Sequence, residues 1–175
     1  MLLTILAVIV AVIAIVLIVA STRPDSFRIE RQITINASPD KPFALIQDFH
    51  RWTEWSPWEQ LDPNLERTYS GAQSGPGAMY DWKGNSKAGT GHMEILEAVA
   101  PSRVEIRLDF IAPFEAHNIA DFALTPEGGS TRVVWAMHGP QPFMNKLMSV
   151  FMNMDKLVGP DFEKGLAAIK RLSEA

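Results

Sequence analysis

With no cysteine among its 175 residues, the chain has no thiolate nucleophile, no disulfide and no Cys-based metal site. General acid–base or metal chemistry must therefore come from its histidines and carboxylates. The four histidines, His50, His92, His117 and His138, are far apart, with no HxH or HxxxH pair to chelate a metal. His50 falls at the end of a short helical segment, where a cation meets the helix dipole. His138, Asp81, Glu94, Asp109 and Asp121 all have the outward parity of strand residues and read as a solvated face. A carboxylate acting as a buried general base would interrupt an apolar face, and none of the clear strands shows one. Catalytic residues and metal ligands are accordingly not assigned, and no cofactor is expected.

Two polar side chains share the inward parity: Tyr80, two residues before Trp82, and Asn118, two before Ala120. Each either satisfies a neighbouring backbone group or orients a mostly apolar ligand, as the few polar groups of a greasy pocket do. Methionines at 144, 148, 152 and 154 in the helical region and 79, 93 and 137 in the strands make an adaptable apolar interior.

Strands and helices must position these groups. Phe27, Ile29, Ile33 and Ile35 alternate with polar residues and predict a half-buried strand. Ser38 is a good N-cap with Pro39 at the first helical position, and Phe43, Ile46 and Phe49 mark one side of a short helix. Trp52, Trp55 and Trp58 follow at intervals of three. From Leu65 to Gln141 the pattern is strand and turn, with Gly84-Asn85 and Gly128-Gly129 as two-residue turn signals of antiparallel hairpins. In the run Arg103 to Phe110, Val104, Ile106, Leu108 and Phe110 face one way and the charged residues the other, so the sheet is covered on one side only. The cover is a terminal apolar stripe from Phe143 through Leu147, Val150, Phe151, Met154, Val158 and Phe162 to Leu166 and Ile169. Gly159-Pro160 should kink or divide it.

The segment LLTILAVIVAVIAIVLIVA has a single polar member, Thr4. As a helix it spans about 28 Å at about 1.5 Å per residue, which matches a hydrocarbon core about 30 Å thick. A signal peptide cleaved after Ala20 is the alternative, but the run lacks a basic n-region and exceeds the usual ~7–15 apolar residues. The expected organisation is a transmembrane anchor over residues 1–21, a linker over 22–26 and one domain over 27–175. Arg23, Arg28 and Arg31 follow the span, so the positive-inside rule favours a single-pass protein with a cytoplasmic domain. The net charge of −4 and scattered basic residues exclude a nucleic-acid partner. Nothing in the sequence fixes an oligomeric state.

The stretch ITINASPDKPFALIQDFHRWTEWSPW, the hairpin sequences GAMYDWKGN and STRVVWAMHGP, and the closing MNMDKLVGPDFEKGLAAIKRL resemble the START-like helix-grip (SRPBCC) superfamily, in its polyketide cyclase/dehydrase branch. The resemblance covers about residues 27–173. It implies an α+β fold: a curved antiparallel sheet of seven strands gripping a long C-terminal helix, here preceded by the N-terminal transmembrane helix. It further implies an apolar cavity for lipids, sterols, polyketides or quinones, one end of it closed by the tryptophan motif. Strand parity then assigns Tyr80, Trp82, Met93, Ile95, Ile106, Leu108 and Phe110 to the cavity wall, with Asn118, Phe122, Trp135 and Met137 beside them. Met154, Val158 and Phe162 would contribute from the helix. The expected function is membrane-tethered binding of a hydrophobic small molecule. The alternatives are a cyclase or dehydrase in which Tyr80 or Asn118 polarises a carbonyl, and a protein-interaction module with an apolar patch outside the cavity.

Overall fold

The computed structural model describes residues 1–175. Helix α1, Leu2–Ser21, has no polar face, and every residue from Leu2 to Ile15 is exposed. With a mean hydropathy of 3.5 it is long and apolar enough to cross a membrane.

Seven strands follow the order expected of the alternating segments: β1 (Ser26–Ile35), β2 (Glu66–Gly71), β3 (Ala78–Lys83), β4 (Thr90–Val99), β5 (Arg103–Ala112), β6 (Ala116–Glu127) and β7 (Ser130–Pro140). They form one antiparallel sheet in the order β1-β7-β6-β5-β4-β3-β2, so β1 closes beside the last strand and every other pair is a hairpin. The pairs Ser26↔Pro140, Phe110↔Ala116 and Lys83↔Thr90 put the start of β1, the end of β7 and the β5–β6 and β3–β4 loops at one end of the sheet. This is also the end at which α1 joins, and it is called proximal below. The opposite, distal end carries the β6–β7 turn and the β4–β5 loop.

Helix α2 (Asp40–Ile46) and two short 3₁₀ segments, Phe49–Glu54 and Pro57–Gln60, carry the tryptophans onto the concave face of the sheet. Helices α3 (Phe143–Ser149) and α4 (Met154–Glu174) complete the chain. The core joins Phe43, Ile46, Phe49, Trp52 and Trp55 to the inward residues of the sheet and to Phe162, Leu166 and Ile169 of α4. No residue of α1 belongs to it.

Four local expectations are corrected. Helix α2 begins at Asp40, because Ser38 and Pro39 serve it through their backbone carbonyls, which accept from the Lys41 and Phe43 N–H groups, rather than through the serine hydroxyl. Gly84-Asn85 opens a longer loop, in which the Asn85 side-chain carbonyl accepts from the N–H groups of Lys87 and Ala88 and Gly89 supplies the positive φ of +67°. Gly128-Gly129 is the two-residue turn its sequence predicts. The terminal stripe breaks at Val150–Asn153, where the Asn153 side chain accepts from the Lys156 N–H and starts α4, and not at Gly159-Pro160. Pro160 lies within α4 on its exposed side, where the carbonyl it leaves unpaired can meet water. Gly159 serves close approach: a Cβ there would lie 2.0 Å from the Arg31 guanidinium, which crosses the helix to pair with Asp155 and Glu163 at 2.8 Å each. The fourth concerns His50, which lies at the start of its 3₁₀ segment, its Nδ1 3.0 Å from Asp48 and its ring stacked on Tyr69.

The Trp135 ring stacks on Phe162 at 4.3 Å and 9°, and also meets Phe122, Trp55 and Trp58. Trp135→Ala should destabilise the domain by about 3–5 kcal/mol, read as a shift in the urea-unfolding midpoint at constant slope.

Candidate ligand-binding site

The register puts Tyr80, Trp82, Met93, Ile95, Ile106, Leu108, Phe110, Asn118, Phe122, Trp135 and Met137 on the concave face, where strand parity assigns them. They do not line one continuous chamber. Ile95, Ile106 and Phe122 have no accessible surface and Phe162 almost none, so they border no void that a water could enter. The space expected between α4 and the sheet is filled there by Trp55, Trp58, Trp135 and Phe162. The reason is local. Trp52 and Trp55 donate their indole N–H groups to the carbonyls of Ile46 and Leu45 at 3.0 and 3.1 Å, which swings both rings into the core instead of leaving them as a lid.

Toward the proximal end the cover thins. Trp82, Leu108, Phe110 and Phe27 are only half-buried, while Met93, Asn118 and Met137 beside them are buried. Trp82 lies over Gly91, where a Cβ would come within 2.2 Å of the ring, and meets Phe110 edge-on at 5.8 Å. From α4, Val158 packs half-buried on the core, while Met154 is 44% exposed. The concave face is thus an aromatic plug distally and an incompletely covered apolar groove proximally.

The two inward polar groups differ. The Tyr80 hydroxyl donates to Glu59 Oε1 at 2.7 Å, and Glu59 Oε2 accepts from the Arg67 guanidinium at 2.6 Å. Burial, then the bond to Glu59, pushes the Tyr80 hydroxyl well above the ordinary phenol range, and the same carboxylate raises Arg67. Tyr80 is therefore a committed donor rather than a free acid facing a ligand. Glu59 and Asp62 are buried carboxylates that the strand-by-strand parity test missed, because both lie outside the strands. Glu59 is in a 3₁₀ segment of the tryptophan stretch, and Asp62 lies just after it, accepting from the N–H groups of Asn64 and Asn85. The one sequence signal for Glu59 is its place directly after Trp58 in the tryptophan stretch. The Asn118 carboxamide makes no hydrogen bond to the protein, and its Oδ1 lies 2.3 Å from where a Cβ on Gly139 would sit.

On the outer face, Arg103 pairs with Glu97, Glu105 and Asp121, Arg107 with Glu94 and Asp109, and His92 with Asp81. The His117 imidazole is raised above its ordinary value by its hydrogen bond to Asp109 and then by Glu115. A surface cavity of about 980 Å³ opens at the proximal edge of the sheet. Of its eleven lining residues only Phe27 and Ile119 are hydrophobic; Arg28, Arg107, Asp109, His117 and His138 dominate it. It is a wet depression, and Phe27 and Asn118 line it as well as the groove, so the two meet at the proximal edge of the sheet.

A seven-stranded antiparallel sheet curled around one long terminal helix, with an apolar concave face, defines the helix-grip class of α+β proteins. The chain belongs to the family described as polyketide cyclase/dehydrase and lipid transport, whose model matches residues 26–174. A search of curated proteins finds no match. Among solved structures it is similar to the di-domain ARO/CYC protein BexL of the BE-7585A biosynthetic pathway, with a TM-score of 0.64 at 11% identity over 90% of this chain and 53% of that one. It is also similar to hypothetical protein jhp0584 from Helicobacter pylori, with a TM-score of 0.63 at 8% identity, covering 84% of this chain and 88% of that one. Protein CV1439 from Chromobacterium violaceum gives 0.59 at 14% identity over 87% and 99%. At these identities the likeness is one of fold.

Tyr80→Phe removes the donor to a buried carboxylate oxygen and should destabilise the domain by about 1–3 kcal/mol. Urea unfolding checks this, and a change under about 0.5 kcal/mol, the size of a neutral surface substitution, would show that water replaces the hydroxyl.

Proposed function

We propose that the protein is a membrane-tethered binding protein for a hydrophobic small molecule, of the lipid, quinone or polyketide-like class, held in the proximal groove of the concave face. One observation carries the reading: the groove is apolar, incompletely covered, and contains a single carboxamide, Asn118, without a protein partner. A greasy guest with one carbonyl or hydroxyl is the complement of such a wall. The family's description, which includes lipid transport, is in keeping with it. In this reading α1 spans the bilayer, and the arginines at 23, 28 and 31 favour the cytoplasmic side for the domain.

The groove residues are Trp82, Met93, Leu108, Phe110, Asn118 and Met137, with Met154 and Val158 at the α4 side. Tyr80, Ile95, Ile106, Phe122, Trp135 and Phe162 support it from behind as packed core. Tyr80 is spent on Glu59 and the groove offers no acid or base of its own, so binding is favoured over a cyclase or dehydrase reaction.

The test is to purify the full chain from its own membrane and identify co-purifying apolar molecules by mass spectrometry. Phe110→Ala should alter which molecules bind. Asn118→Ala should weaken those bearing a carbonyl or hydroxyl by about 0.5–1.5 kcal/mol and leave hydrocarbons unaffected. A protein that carries no apolar molecule, and takes up none offered to it, would contradict the reading.

A further inference from the structure

Helix α3 is built the wrong way round for a helix in water. Its one lysine, Lys146, is buried and paired with Asp25, while Phe143, Met144 and Met148, and Phe151 just beyond its end, are exposed. Residues at spacings of three, four and eight share a helix side, so these four form one outward apolar face and the lysine lies on the other. A surface helix of a soluble domain shows the opposite arrangement.

The helix is also where the domain touches α1. Contacts between α1 and α3 coincide with the only part of α1 that loses exposure: Ala20 is buried and Val16 and Val19 are half-buried. These residues lie in the last two turns of α1, within about 8 Å of its end. If α1 spans the hydrocarbon, α3 lies at the depth of about 5–10 Å at which amphipathic helices rest in a membrane interface. The β5–β6 tip belongs to the same end of the sheet, by the pairing Phe110↔Ala116 beside Ser26↔Pro140. It carries Ile111 and Phe114, the latter 74% exposed, much as Phe151 is 73% exposed.

We infer that the outward face of α3 and the β5–β6 tip form one membrane-docking surface that inserts into the lipid interface beside α1. Docking there turns the thinly covered proximal groove toward the bilayer, so that a guest passes between lipid and protein without crossing water. The inference rests on the membrane-tethered reading of α1, which supplies the continuity between helix, lipid and domain. It adds that the domain lies on the membrane in one orientation instead of swinging freely on the linker.

The absence of cysteine makes the test clean, since each introduced cysteine is the only labelling site. The full chain in phospholipid nanodiscs would carry a nitroxide at Phe114→Cys, Phe151→Cys or Met144→Cys, all exposed positions outside the core. Ile9→Cys reports on α1 and Ser74→Cys on the distal β2–β3 loop. Relative accessibility to oxygen and to an aqueous nickel chelate gives the depth of each label. Docking predicts a several-fold higher oxygen-to-nickel ratio at positions 114, 144 and 151 than at 74. Water-like ratios at all three, with a hydrocarbon ratio at position 9, would overturn docking and leave the anchor standing. A water-like ratio at position 9 would remove the anchor reading, and positions 114, 144 and 151 would still decide docking by themselves.

Discussion

The stack of Trp135 on Phe162 is the contact on which the rest of the domain depends. It joins the last strand, β7, to the terminal helix, and Gly165 permits it, since a Cβ there would come within 2.8 Å of the Trp135 ring. Trp55, Trp58 and Phe122 pack edgewise or stacked around the same indole, so the tryptophan stretch, β6, β7 and α4 share one aromatic centre. Large flat side chains in these arrangements contribute packing beyond their buried area. The same centre occupies the volume that a ligand would otherwise take. The proximal half is less completely covered, with Trp82, Leu108, Phe110 and Phe27 only half-buried.

The inward polar groups differ in whether the protein satisfies them, and within the plug the buried Trp135 Nε1 has no partner. The Tyr80–Glu59–Arg67 network is closed on itself, which satisfies a buried carboxylate and ties the tryptophan stretch to β2 and β3. Proximally, Asn118 is left without a protein partner. The charged residues of the outer face pair across strands with one another, which suits a water-facing sheet surface and adds little stability pair by pair.

Much of this was legible in the sequence. Alternation in the run from Arg103 to Phe110 assigned both faces of β5 correctly, and the motif-level resemblance implied the strand number and the terminal helix. Periodicity also found the apolar stripe from Phe143 to Ile169, but periodicity states only that one side is apolar, not what covers it. Phe162, Leu166 and Ile169 face the sheet, whereas Phe143 and Phe151 face outward. Glu59 escaped because parity has no meaning in a 3₁₀ segment. The filled distal half escaped because parity says which side chains meet, and not whether their volumes leave a gap. Asn118 shows the same limit from the other side, since its inward direction was readable and its lack of a partner was not.

The central claim is that a hydrophobic guest lies against the proximal groove and nowhere else. Methyl NMR of the full chain in nanodiscs, with ¹³C-methyl methionine and an added fatty acid, tests it directly. Met93 and Met137 report on the groove and Met79 on the outer face of β3. The account predicts ligand contacts and shift changes at Met93 and Met137, with Met79 unmoved. Contacts confined to Met79 or to the charged outer depression, or no change at any methionine at saturating ligand, would contradict it.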